Sequence, residues 1–225
     1  MVAVLDKGFV ELVDRMGNDS SVVSAARVSL NNDGMSFDED KDFKLISYLL
    51  TNKHTSPFEH VIFKFHVKCP LFVRSQWMRH RTWSFNEVSR RYTSDDIDFY
   101  TPNELRRQSP SNRQASTDEL ITEIFPEESV SKSIAIMSEH AMQSYLWMLD
   151  MGVSREQARM ILPQNMYTRF YATVDLHNLL HFLELRNSAH AQFEMRQYAV
   201  ALENLISKYV PFTLKAWRSL HEEAN

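Results

Sequence analysis

At 225 residues the chain is long enough to bury a sizeable core, and 44% apolar with 24% charged residues is the composition of a globular protein, neither disordered nor membrane-embedded. A net charge of −4 argues against broad electrostatic binding of nucleic acid, and the single cysteine excludes an internal disulfide and a multi-cysteine metal knuckle. With only 4 glycines, and neither GxGxxG nor GxxxxGK[ST] present, arginine side chains are left to bind any phosphate.

The first residues, MVAVLDKGFVELVD, carry acidic groups early and no long apolar run, so no secretory leader or membrane span is expected and the cytosol is the expected compartment. Residues 2–16 alternate loosely and predict one or two short strands broken at Gly8. Residues 17–19 predict a turn, and Ser20 or Ser21 the cap of a short helix ending at Arg27. A second helix is predicted from the SFDE segment at 36–39 through Leu49, on the spacing of Phe43, Ile46, Leu49 and Leu50. HTSPFE at 54–59 reads as a polar loop interrupted by Pro57. The β-branched and aromatic run after it predicts a strand with Val61, Phe63, Phe65 and Val67 on one face, leading to Cys69, an inert buried thiol. Pro70 is suited to open a helix over 71–80 that sets Gln76 and Arg79 one turn apart.

The polar stretch 93–118, with Pro102 and Pro110, has the pattern of a mobile loop or lid. Helices are predicted at 127–151, 154–162, 175–187, 190–208 and 212–223, and a strand at 165–174. Strands and helices without regular alternation favour a single helix-rich α+β domain over a doubly wound sheet.

Three clusters carry chemistry. Arg74, Arg79, Arg81, Arg90 and Arg91 surround one acid, Glu87, which suggests a focused site for a small anion, with Arg79 and Arg91 as clamps. Arg155 and Arg159 in REQAR fall on one helical face; a solvated, salt-bridged helix suits Arg155 better than a site does. In 175–190, Leu176, Leu179, Leu180 and Leu183 form a buried stripe, so His177, His181 and Glu184 share another face. Two histidines one turn apart suit zinc, but HNLLH lacks the glutamate of HExxH and no third ligand is evident, so no metal is expected. Arg186 either snorkels outward or reaches into a cleft.

RHR followed by seven residues and a serine is matched by Arg79, His80, Arg81 and Ser89, and HTSPFE at 54–59, QWMRHR at 76–81, LPQNMYTRF at 162–170 and LRNSAHAQ at 185–192 extend the pattern. By these motifs the chain resembles the flavin-dependent thymidylate synthases. The resemblance implies an α+β subunit with an antiparallel sheet and long helices, assembled as a homotetramer with shared active sites. It implies methylation of dUMP to dTMP, with methylenetetrahydrofolate as carbon donor and NADPH-reduced FAD as hydride source. FAD is then expected on Ser56, Arg79, His80, Arg81, Glu87, Asp175, His177 and His181, with His54, Glu59, Asn86 and His190 in the same pocket. The nucleotide is expected on Gln76, Arg79, Glu87, Ser89, Arg90, Arg91, Arg159 and Arg186, the last stabilising charge as uracil N3 ionises. Ser89 reads as a binding group, since no adjacent base makes it a nucleophile. Arg90 stands where glycine is common in the family, and Asp175 and His177 where Asn and Arg are common. The rivals, a nucleic-acid-binding module and a metal-dependent nucleotide hydrolase, lack a basic surplus and a water-activating carboxylate respectively.

Overall fold

In a computed structural model, which describes residues 1–29, 38–121 and 130–222, the chain opens with a hairpin of β1 (Val2–Val4) and β2 (Gly8–Met16). The break falls just before Gly8: Leu5 takes a φ of 59°, and Gly8 already pairs with Val4. Glycine is needed at 8 for space, because a Cβ would lie 2.0 Å from the Tyr198 hydroxyl and 2.8 Å from the Lys68 carbonyl oxygen.

α1 (Asp19–Val28) is capped by Asn18 and by neither serine. The Asn18 side chain accepts from the Ser21 amide, and the Ser21 hydroxyl accepts from the Asn18 amide, which satisfies two orphan donors reciprocally. α2 (Glu39–Thr51) starts from the Asp38 cap; residues 36–37 of its expected span lie outside the described residues. Its Asp42 is fully buried and ion-paired to Arg27 of α1. Buried Pro57 and Phe58 turn the expected loop into one 3₁₀ turn, Ser56–His60.

β3 (Ile62–Pro70) follows, with Phe63, Phe65, Val67 and Cys69 fully buried, as is Val61 just before it. Burial pushes the Cys69 thiol well above its usual pKa. α3 (Leu71–Trp77) is shorter than expected. Its end tightens to short-range bonds, Arg79 N to Gln76 O at 3.3 Å and His80 N to Trp77 O at 3.0 Å, so Gln76 and Arg79 lie one turn apart as expected, but in a 3₁₀-type turn past the end of α3. The RHR motif therefore lies in turns, followed by β4 (Ser84–Glu87), a strand too short for the sequence to announce, with Phe85 packed on the core.

The stretch expected to be a loop contains a separate hairpin, β5 (Arg106–Gln108) against β6 (Ser116–Leu120). Cross-strand ion pairs, Arg106 to Asp118 at 3.1 Å and Arg107 to Glu119 at 2.8 Å, join these polar strands. α4 (Val130–Asp150) follows; residues 127–129 of its expected span lie outside the described residues. α5 (Arg155–Ala158) gives way to a 3₁₀ turn at Arg159–Ile161. Pro163 explains this: it holds Leu162 extended, at ψ 127°, and denies the helix another turn. Arg159 is the C-cap of α5 and its amide bonds the Arg155 carbonyl, so the two lie one turn apart as expected although the α-helix stops there.

β7 (Tyr167–Asp175), α6 (Leu176–Arg186), α7 (Phe193–Ile206) and α8 (Pro211–Glu222) complete the chain, and residue 223 of the expected last helix lies outside the described residues. The main sheet runs β1-β2-β3-β7-β4, with every pairing antiparallel. The fold is α+β. Among the described residues, no helix is long and apolar enough to cross a membrane.

Candidate active site

β7 hands over to α6 at Asp175, whose carboxylate caps the helix by accepting from Asn178 N at 2.9 Å and Asn178 Nδ2 at 2.6 Å. The expected stripe, Leu176, Leu179, Leu180 and Leu183, is buried. That turns His177, His181 and Glu184 to the other side, where they line a cavity of ≈ 380 Å³ with His54, Lys53 and Trp217. Glu184 lies 3.6 Å from His181 Nδ1 and 3.7 Å from His221 Nε2. Among the described residues, no three His, Cys, Asp or Glu side chains come together as a metal site.

Arg186, at the end of α6, takes the inward course of the two open to it. Its Nε donates to His80 Nε2 at 3.0 Å and its Nη2 to the Gln76 carbonyl at 3.4 Å. His80 is 8% exposed and packs on Phe182 at 4.7 Å. A guanidinium has no lone pair to offer, so His80 Nε2 must be the acceptor and Nδ1 the protonated nitrogen. Burial, then the Arg186 charge, then His181, hold the His80 pKa down to about 4. Burial also lowers the pKa of Arg186 from its usual value.

The sign of the resulting pH effect follows from proton counting. Between pH 6.5 and about 4 the unfolded chain binds a proton at His80 that the folded chain excludes. The stability tied to His80 is therefore complete above pH 6.5 and is lost as pH falls toward about 4. His80→Gln is expected to flatten this part of the acid limb in denaturant titrations; an unchanged slope would show that His80 is not held neutral.

Gln76 donates through Nε2 to Gln192 Oε1, and Gln192 Nε2 donates to Glu194 Oε2 at 2.9 Å. A carboxylate only accepts, so Glu194 fixes the orientation of Gln192, which fixes Gln76 with its Oε1 left as an acceptor. Gln192 was visible only as the end of the LRNSAHAQ motif, and no signal pointed to Glu194.

A second cavity, ≈ 640 Å³, is lined by Arg74, Glu87, Ser89, Arg90, Arg159 and Thr168 among others. Glu87 is held from two sides, by Arg74 Nε at 2.9 Å and by Thr168 Oγ1 at 2.8 Å. Arg90 is buried, and its terminal nitrogens donate to the carbonyls of Asp95 and Asp96. Arg91 is exposed and lies 3.6 Å from Glu156, while Ser89 Oγ accepts from the Arg91 amide at 3.2 Å.

Of the residues expected at a flavin, His54, His177 and His181 meet in the smaller cavity, and His80 lies 6.3 Å from the His181 ring. Ser56, Glu59, Arg79, Arg81, Asn86 and His190 are exposed and line neither cavity. Of those expected at a nucleotide, Glu87, Ser89, Arg90 and Arg159 meet in the larger cavity, while Gln76 and Arg186 meet each other at His80. Thr168 was missed, although it sits inside LPQNMYTRF.

The sequence matches the family model described as thymidylate synthase complementing protein over residues 11–212. It is 47% identical to the flavin-dependent thymidylate synthase of Thermus thermophilus over 98% of this chain and 78% of that one. The chain belongs to the flavin-dependent thymidylate synthase family. A second member, from Thermotoga neapolitana, is 47% identical over 96% of this chain and 93% of its own. A crystal structure of the UMP/dUMP methylase PolB from Streptomyces cacaoi, bound with 5-Br dUMP, superposes with a TM-score of 0.85 at 35% identity, covering 97% of each chain. Within this flavin-dependent thymidylate synthase fold the signature divides: His80 is buried against α6, Arg79 and Arg81 face outward, and Ser89 lines the larger cavity.

Proposed function

We propose that this chain, as one domain over residues 1–225, catalyses the reductive methylation of dUMP to dTMP. The observation that carries the reading is Arg186, a half-buried cation held by neutral His80 inside the signature turn. Near such a fixed cation, negative charge developing on a uracil ring is stabilised without reorganisation. Glu87, pinned by Arg74 and Thr168, gives the larger cavity a fixed acceptor for a sugar hydroxyl, and Ser89 and Arg159 supply donors on the same wall.

The smaller cavity suits a flavin in its chemistry: Leu49, Phe58 and Trp217 give apolar surface for a ring system, and Lys53, His54 and His177 give polar contacts at its edge. FAD is the form this reading assigns, held by His54, His177 and His181 together with the arginines of the signature turn. Hydride for the new methyl group comes from the reduced flavin, with NADPH as reductant and methylenetetrahydrofolate as carbon source. The chain's own part is to position the substrates and fix charge.

A homotetramer with shared sites completes the reading, in the cytosol. In support, Arg79, Arg81, Asn86 and His190 stand exposed on the single chain, as do the large apolar side chains Met137 and Trp147 of α4. The test is direct: the purified protein should take up FAD, bleach with NADPH in the absence of oxygen, and form dTMP only when methylenetetrahydrofolate is added. A protein that takes up no FAD would overturn the proposal.

A further inference from the structure

The larger cavity holds more arginines than it has arginines free for an anion. A nucleoside monophosphate brings a charge of roughly −1.5 to −2 at neutral pH, which calls for two cationic contacts. Arg90 has both terminal nitrogens on the carbonyls of Asp95 and Asp96, so meeting a phosphate would undo the turn it holds. Arg91 does not line the cavity, and its guanidinium lies 3.6 Å from Glu156. Arg159 is exposed and lines the cavity. Among the described residues, the remaining arginine on the cavity wall is Arg74.

Resting on the function proposed above, we infer that Arg74 is a nucleotide-binding residue that meets the phosphate and makes the site prefer the nucleotide over the nucleoside. Its Nε and Nη2 both donate to one carboxylate oxygen, Glu87 Oε2. The other oxygen, Oε1, is taken by Thr168 Oγ1, so the carboxylate cannot swing away from either partner without losing a bond. A guanidinium is planar and rigid, so fixing its Nε/Nη2 edge fixes where its other edge, through Nη1, is aimed. Among the described residues Nη1 has no hydrogen-bond partner, and Arg74 lines the cavity that Ser89 and Arg159 also line. Arg74 also neutralises Glu87, which otherwise sets a negative charge beside an incoming phosphate. The Glu87 carboxylate is thus both a ligand group and the bracket that orients Arg74.

The experiment is isothermal titration of the FAD-loaded protein with dUMP and with deoxyuridine, which shares the base and sugar but has no phosphate. Arg74→Gln should weaken dUMP by about tenfold to a hundredfold, the weight of a charge-assisted contact, and leave deoxyuridine within about twofold. Arg74→Lys, which keeps the charge without the fork, should recover part of the loss. Because Arg74→Gln leaves Glu87 without its cation, Arg74→Gln/Glu87→Gln is measured beside Glu87→Gln alone, and a loss selective for dUMP, smaller because the charged bracket is gone, is expected between them. If dUMP and deoxyuridine weaken together, or neither changes, Arg74 only braces Glu87 and the inference is overturned. A wild-type protein that takes up FAD yet binds neither ligand overturns the functional reading itself.

Discussion

Replacing Arg186 by alanine is expected to slow dTMP formation by on the order of 10²–10³-fold, the usual cost of removing one pre-aimed charge-stabilising group, while FAD uptake persists. The division follows from where the side chain lies: its contacts go to His80 and the Gln76 backbone, whereas the cavity assigned to the flavin is lined by His54, His177 and His181. A second readout separates electrostatics from simple collapse. The Arg186 charge is one of the causes that hold His80 near pKa 4, so its removal should let the His80 pKa rise, as read by NMR titration. Burial is the larger cause, so the rise should be partial. Wild-type turnover in Arg186→Ala would remove its assigned role, and an unmoved His80 would mean that the two side chains are not coupled.

Trp77→Ala should destabilise the fold by about 3–5 kcal/mol, the range for deleting a buried large aromatic. Trp77 is 0% exposed, and its ring lies 5.5 Å from Phe170, 5.1 Å from Phe182 and 6.1 Å from Tyr198. One residue of α3 is thereby packed against β7, α6 and α7, and the void left behind has no single neighbour able to fill it. Among the described residues its indole N–H has no partner, so Trp77→Phe removes an unsatisfied donor along with some volume and should cost less than alanine. Tyr92→Ala, at a residue 79% exposed, should stay within about 0.5 kcal/mol. Denaturant titration compares the three; equal effects at positions 77 and 92 would contradict the packing described here.

Apolar periodicity carried the parts of the fold that bury one face. The alternation from Val61 to Val67 and the leucine stripe of α6 were legible because each period commits a whole side of an element to the core. β5 and β6 left no such trace, being joined by ion pairs across the hairpin, and β4 is too short to show a period: only Phe85 turns to the core, and the strand is placed by pairing with β7. Element ends failed where one residue decided them, as when Asn18 outcompeted two serines or Pro163 ended the α-helix at its Arg159 cap.

At the site, motifs supplied names and left geometry open. Sequence order placed Glu87 amid arginines, but that Arg74 and Thr168 hold it, one oxygen each, depends on β4 lying beside β7. Arg90 shows the converse: an arginine within the motif turns its guanidinium onto the Asp95 and Asp96 carbonyls. The inward course of Arg186 needed the fold, because only the return of α6 beside the signature turn gives it His80 to meet.

β7 begins beside Thr168, in the cavity assigned to the nucleotide, and ends at Asp175, the cap of the helix that carries His177 and His181. Its nine residues, at about 3.4 Å of rise each, put roughly 27 Å between those ends. The strand is a ruler. Surface loops can gain or lose residues across evolution and leave the two sites alone. A single deletion here would shorten the gauge by about 3.4 Å and exchange its inner and outer faces at one stroke. The spacing of the two cavities is written as a residue count on one strand, and it is too long for a hydride to cross within one chain, which is why the proposed reading needs a site shared between subunits.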